Sequence, residues 1–381
     1  MIRADLLERV RDRVAGSGQP LDPVQVARAL GQEGRPVGDT EVLEVLDLLR
    51  RDVLGAGPLE PLLRRPGVTD VLVNGPDQVY VDVGDGLEPA GVSFPDDAAV
   101  RRLAQRLAAS AGRRLDDATP YVDLRLPDGT RFHAVLAPLS RPGTLLSLRV
   151  PRDRVFDLDE LVASGTVCVE GADLLRRIVQ QRLAFLVTGG TGSGKTTLLA
   201  ALLSLVDPSH RLVIVEDASE LRPHHPHVVG LEARPANVEG AGAVPLQVLV
   251  RQALRMRPDR LVVGEVRGAE ISDLLAAMNT GHEGGCGTLH ANSCADVPAR
   301  VEALAMAAGM PRAAAHSQLA SALDVVVHVT RTGGRRRVEE VAVLTRGSDG
   351  HVVATPAVTF GADGSIRTHE GADRLAELLQ R

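Results

Sequence analysis

Between residues 155 and 330 short runs of Val, Leu and Ile come without polar alternation: "LAFLVTGG", "RLVIVEDAS", "RLVVGEV", "CGTLHAN" and "DVVVHVT". A strand apolar on both faces belongs inside a parallel sheet covered by helices, so these runs predict the core of an α/β domain. Between them, "PLQVLVRQALRMR" and "GAEISDLLAAMNTG" read as helices, the second stopped by Gly281. From 51 to 150 the pattern becomes shorter and more alternating. "VTDVLVNGPDQVYVDVGDGLEPAGVSF" holds three strands divided by "NGPD" and "GDG" turns, and "DDAAVRRLAQRLAASAG" is a helix. "LRLPDGTRFHAVLAPL" reads as a hairpin about Asp128-Gly129, and "TLLSLRV" as a further strand. Residues 1–50 form a helical extension whose clearest helix, "DTEVLEVLDLLRRDVL", is capped by Asp39 or Thr40. Residues 331–381 predict a C-terminal extension of one or two hairpins and a last helix. The expected divisions are therefore 1–50, 51–150, 155–330 and 331–381.

Composition narrows the function classes. The chain has 381 residues, too many for one ordinary domain, with 44% hydrophobic and 24% charged residues, the make-up of a folded soluble protein. A net charge of −6 gives no reason to expect nucleic-acid wrapping, and 2% aromatics with no Trp argue against base-stacking platforms. Three cysteines without a CxxC pair exclude a disulfide framework or a four-cysteine zinc site and fit a reducing cytosol. The N-terminus is too charged for a signal peptide, and no uncharged apolar run reaches the ~18 residues of a membrane span. Work at a membrane would then depend on a partner.

The chemistry concentrates in "LVTGGTGSGKTTLL". Gly189, Gly190, Thr191, Gly192, Ser193, Gly194, Lys195 and Thr196 fit G-x-x-x-x-G-K-[ST] between a buried strand and a helix, the context of a phosphate-binding loop, and Thr197 continues the first helical turn. Glycines let successive N–H groups face one anion, and the helix N-terminus adds its positive end. Lys195 is the only lysine in a chain that otherwise uses arginine. A compact, rotatable ammonium fits such a nest where a forked guanidinium does not. Thr196 offers its hydroxyl to Mg²⁺.

Acids follow at strand ends. Glu265 in "DRLVVGEVRG" is placed to hold Mg²⁺ through water and to polarise an attacking water, with Gly264 in the position of the usual aspartate; Glu216 and Asp217 end another strand. His282 and His290 in "MNTGHEGGCGTLHANS" are candidate γ-phosphate sensors, with a satisfied turn histidine as the alternative for each. "RPHHPHVVG" reads as a plain connector rather than a zinc site, and "GGRRRVEE" as a solvated hairpin tip.

Together "GGTGSGKTT", "VIVEDASEL", "ALRMRPDRLVVGEVRGAE" and "MNTGHEGGCGTLHANS" resemble the Walker A, Asp, Walker B and His boxes of the type II/type IV secretion-system ATPases. "LVNGP", "LPDGTRFHAVLAPLS", "LSLRV" and "LEARPANVEGAG" are similar to its CpaF/TadA branch, the motors of tight-adherence (Flp) pili. The resemblance implies a RecA-like P-loop ATPase domain preceded by a smaller, PAS-like α/β domain, with ATP and Mg²⁺ as cofactors and six copies in a ring. It implies a polytopic platform protein of the cytoplasmic membrane as partner, pilins or secreted subunits moved indirectly, no direct nucleic-acid contact, and a place at the membrane's cytoplasmic face. By matching position Glu216, Glu265 and His290 would be catalytic. Arg131 and Arg149 would reach the phosphates from the N-terminal domain, with a surface salt bridge as the alternative. The zinc-binding tetracysteine insert of many type II motors is missing, and "EGGCGT" has small residues where many relatives carry hydroxyls. Two other readings stay open, the same motor in a conjugation apparatus and a nucleotide-dependent switch with little turnover.

Overall fold

A computed structural model describes residue 10, residues 23–32, 38, 42–43 and 45–46, and residues 55–380 except 85, 152–154, 237–239 and 282. The chain divides into two compact units, Met1–Pro151 and Arg152–Arg381.

In the first unit, α1 (Pro23–Gln32) buries Val26, Ala29 and Leu30 against Val42, Val45 and Leu46. Asp39 and Thr40, the expected caps of the helix read over that second stretch, lie outside the described residues. The one-turn α2 (Glu60–Leu63) leads into β1 (Asp70–Val73), β2 (Val79–Asp82) and β3 (Leu87–Pro89). After α3 (Asp97–Ser110) come β4 (Tyr121–Arg125), β5 (Arg131–Val135) and β6 (Leu145–Arg149). The six strands form one antiparallel sheet in the order β3-β2-β1-β6-β5-β4. Alternation sends Val71, Val73, Phe132, Ala134, Leu146 and Leu148 to a core shared with Val100, Leu103 and Leu107 of α3. Asp96 starts that helix by accepting from Ala99 N at 2.7 Å. Arg131, His133, Ser147 and Arg149 are left on the opposite face.

The second unit opens with α4 (Leu158–Ala163) and α5 (Val169–Gln180). Then follow β7 (Phe185–Thr188), α6 (Lys195–Leu203), β8 (Leu212–Glu216), β9 (Val228–Glu232), α7 (Leu246–Ala253), β10 (Arg260–Val266) and α8 (Glu270–Met278). β11 (Cys286–Leu289), α9 (Val297–Ala307), α10 (Arg312–Ala322), β12 (Val325–Thr332), β13 (Arg335–Arg346), β14 (Val352–Phe360), β15 (Ile366–Thr368) and α11 (Ala372–Leu378) complete it. All these strands join one sheet, β15-β14-β13-β12-β7-β11-β10-β8-β9, parallel from β12 to β9 and antiparallel from β12 outward to β15.

Helices cover both faces, which is why the central strands lack alternation. Val187 and Ile214 pack with α4, α5, α6 and α11 on one side. Their neighbours Leu186 and Val215 pack with α7, α8, α9 and α10 on the other. One element departs from the sequence reading. β9 lies partly inside the stretch read as a connector. It is an edge strand in which Val228, Val229 and Leu231 are half-buried and Gly230 and Glu232 exposed. Residues 331–381 hold the hairpins and last helix read there, and they continue the sheet, β13 pairing along β12 and Leu378 of α11 joining the core under β7.

Candidate functional site

Parallel pairing brings the carboxyl ends of β7, β8, β10, β11 and β12 to one edge of the sheet, where ligands of open α/β sheets gather. The phosphate loop leaves β7 there. Gly189, Gly192 and Gly194 have φ of 150°, 70° and 100°. A Cβ at Gly189 would strike the Val329 carbonyl oxygen and Ser193 Oγ, so the first glycine is required by space as well as by backbone. Gly194 caps α6 without any side-chain bond, which leaves the first-turn amides free for an anion. Ser193 Oγ is buried without a partner beside them. Lys195 is buried; its Nζ donates to Gly189 O at 3.0 Å and Gly190 O at 2.9 Å. Burial holds that ammonium below the usual lysine range, and nearby Glu265 partly offsets the shift. Thr196 and Thr197, half-buried in the first turn, complete a cradle that fits a nucleotide's phosphates and the hydroxyl ligand of a magnesium ion.

The acids reach this edge by different routes. Glu216, the last residue of β8, is buried and its Oε1 accepts from Glu220 N at 3.1 Å and Leu221 N at 3.0 Å. Glu216 also accounts for Gly264: a Cβ there would lie 2.5 Å from Glu216 Cγ and 2.9 Å from Oε1. An aspartate at 264 would need the space that Glu216 fills. At Gly264 and Glu265, β10 slips register against β11, pairing Val263 with Gly287 and then Val266 with Leu289. This bulge, tied by Thr288 Oγ1 donating to Gly264 O at 2.6 Å, turns Glu265 toward the loop. Glu265 Oε1 lies 2.9 Å from His290 Nε2, and its other oxygen pairs with Arg267. His290 Nε2 is also 3.5 Å from Lys195 Nζ. Burial first and then Lys195 push the imidazole below its ordinary value of 6.5, against the pull of Glu265. The depressed value favours the uncharged ring, whose Nε2 lies between the Glu265 carboxylate and the Lys195 ammonium. Glu265, His290 and Lys195 form one continuous chain of contacts.

Three contributors escaped the sequence reading. Glu270 Oε1 accepts from Arg267 N at 2.6 Å and Gly268 N at 2.7 Å, fixing the turn that follows Glu265. The acid three residues after Arg267 at a helix start is its visible signal. His328 of β12 pairs through Nδ1 with Thr188 Oγ1 at 3.0 Å, bracing the last residue before the loop. Arg336 Nε donates to Gly192 O at 3.1 Å.

His282 lies outside the described residues. Its neighbours Gly281 and Glu283 precede β11, whose other end carries His290. Of the connector histidines, His227 Nε2 meets Arg211 Nη1 at 2.8 Å and His225 Nε2 meets Asp207 O at 3.0 Å. In the first unit Arg131 and Arg149 face each other across β5 and β6. Arg131 forks onto Asp123, Nε to Oδ1 at 3.2 Å and Nη2 to Oδ2 at 2.8 Å, and Arg149 Nε reaches Asp70 Oδ1 at 3.0 Å. Each guanidinium is more than two-fifths exposed, so these pairs hold the arginines lightly.

Comparison with known proteins places this site in context. Residues 52–376 match the family described as type II/IV secretion system protein. A putative conjugal transfer protein of Mycobacterium tuberculosis is 59% identical over 84% of this chain and 92% of its own length. The type IV secretion system protein PtlH of Bordetella pertussis is 34% identical over 74% of this chain and 92% of its own. The crystal structure of the ATPase DotB of Legionella pneumophila shares the fold, with a TM-score of 0.50, 19% identity, and 82% of each chain covered. An α/β chain with a RecA-like P-loop unit preceded by a smaller α/β unit, matched over residues 52–376, is a member of the type II/IV secretion system protein family.

Proposed function

We propose that this chain is an Mg²⁺-dependent ATPase working as a hexameric motor. It would power pilus assembly or secretion of the tight-adherence (CpaF/TadA) kind through a polytopic platform protein at the cytoplasmic face of the membrane. The observation that carries the reading is the convergence, at one sheet edge, of a side-chain-free helix cap, a buried lysine and the Glu265–His290 pair. Amides of the loop and the start of α6 bind the phosphates. Lys195 exchanges its two loop carbonyls for β- and γ-oxygens. Thr196, with Glu265 through water, would hold the magnesium ion, which when bound would neutralise phosphate charge. Glu265 orients the attacking water and takes its proton, while His290, 2.9 Å from that carboxylate, senses the terminal phosphate. Glu216 supplies a second anchored carboxylate beside it. Arg131 and Arg149, supplied from the N-terminal α/β domain of residues 51–150, add positive charge as the phosphoryl group leaves. No helix among the described residues is long and apolar enough to cross a membrane, in keeping with a peripheral place held by a partner.

Purified protein should hydrolyse ATP with Mg²⁺, and Lys195→Ala and Glu265→Gln should each bring turnover to the enzyme-free background. Equal rates in all three proteins reject the ATPase reading. Nucleotide binding without turnover in the wild type favours the switch instead.

A second reading, the same motor in a DNA-transfer apparatus, is favoured by the 59% identical relative described as a putative conjugal transfer protein. A deletion strain that keeps its surface pili and loses DNA transfer supports it over the first.

A further inference from the structure

The hairpin of β12 and β13 overhangs the phosphate loop on one flank only. β7 lies between β12 and β11 in the sheet, so Glu265 and His290 stand on one side of the loop and this hairpin on the other. Gly333 and Gly334 turn the hairpin with φ of 58° and 83°, and Arg331 sits opposite Arg336 across it. Both side chains lie against loop glycines. Arg336 Nε holds Gly192 O at 3.1 Å, and Arg336 Cδ lies 3.0 Å from where a Cβ on Gly194 would stand. Arg331 Nη1 lies 3.5 Å from the corresponding position on Gly192. Arg331 is exposed and pairs with no carboxylate among the described residues, whereas Arg337, one place beyond Arg336 on the partner strand, pairs with Glu339 at 3.4 Å.

With the terminal phosphate at Lys195, Glu265 and His290, the flank of the loop toward β12 is the one left for the nucleoside end. Trp is absent, both tyrosines, Tyr80 and Tyr121, belong to the first unit, and the second unit's phenylalanines are taken up by the core, Phe185 and Phe360 buried in it and Phe156 packed against it. A guanidinium plane is the remaining flat, cationic surface on which a purine can stack. We infer that Arg331 binds the nucleoside end of the nucleotide by stacking on the base, with Arg336 as the positioning residue that pins the hairpin to the loop. The inference rests on the ATP reading above and extends it to residues that the motif does not contain.

Calorimetric titration of the full-length protein with ADP and with pyrophosphate, each with Mg²⁺, tests it, because pyrophosphate offers phosphates without a base. Arg331→Ala should weaken ADP about tenfold and leave pyrophosphate unchanged. Arg331→Lys, which keeps the charge and loses the plane, should weaken ADP nearly as much, and it carries the test if the alanine variant fails to fold. Unchanged ADP affinity overturns the inference. So does an equal loss for both ligands, which would put Arg331 on the phosphates, and so does full rescue by lysine. Lys195→Ala separates the two readings. If it abolishes ADP binding while Arg331→Ala spares it, the phosphate-loop assignment stands and only the arginine assignment fails. If wild type and Lys195→Ala bind ADP alike, both fall.

Discussion

His290 stands between an acid and a base, and its proton decides which of them it serves. With the pKa held below 6.5 by burial and by Lys195, the ring is neutral from that pH upward, with Nε2 2.9 Å from Glu265 Oε1. Protonation would place a second cation beside Lys195 and bind the Glu265 charge needed to take a proton from water. The rate of ATP hydrolysis should therefore hold from pH 6.5 upward and fall once acid passes the depressed value. His290→Gln, which keeps an N–H donor without a titrating ring, should lose that acid limb. The same limb in both proteins would assign the titration elsewhere, for instance to His328, which burial also depresses. Stability has the same sign. The unfolded chain takes the proton first as pH falls through 6.5, so the neutral ring's contribution is complete above that value and is lost as pH falls toward the folded one.

Among elements, the end of β10 shows how a site is aimed. A regular strand would pair residue for residue with β11; the slip between Val263 and Val266 adds a residue and swings Glu265 toward the loop. Glu270 at the start of α8 then closes the following turn by taking two backbone amides on one oxygen. Glu270→Ala leaves both amides without their acceptor, at roughly 1–3 kcal/mol for a buried donor. Denaturant titration should show a loss of about 2 kcal/mol, with the rate of hydrolysis reduced as Glu265 loses its fixed position. Glu270→Gln, retaining one neutral acceptor, should recover part of both. A stability loss with undiminished hydrolysis would confine Glu270 to the fold.

At the scale of the molecule, the arginines proposed for catalysis sit on the first unit and the phosphate loop on the second. Their exposed pairs with Asp123 and Asp70 cost little to break, as a residue needed elsewhere during a reaction cycle requires. Arg131→Ala should leave ADP affinity within a few-fold of wild type and lower hydrolysis by about 10³, the effect of a transition-state arginine. A collapse of affinity with the rate per bound nucleotide intact would remove that role.

Local chemistry in the chain determined much of this protein. Strand, glycine loop, lysine and helix are contiguous, so the loop and its helix were legible before any folding, as were the five central strands and the acids at their ends. Tertiary structure decided the rest, because the decisive neighbours are far apart in sequence. Glu216 explains Gly264 only when β8 lies beside β10. His328 meets Thr188 only through β12 on β7. The edge strand β9 has only a short apolar run, half-buried and directly behind a Pro- and His-rich stretch, so pairing with β8 decides it. The arginine-rich hairpin looks like a solvated turn until pairing lays it along the phosphate loop. Sequence records which side chains can do chemistry; contacts between distant segments decide which of them meet.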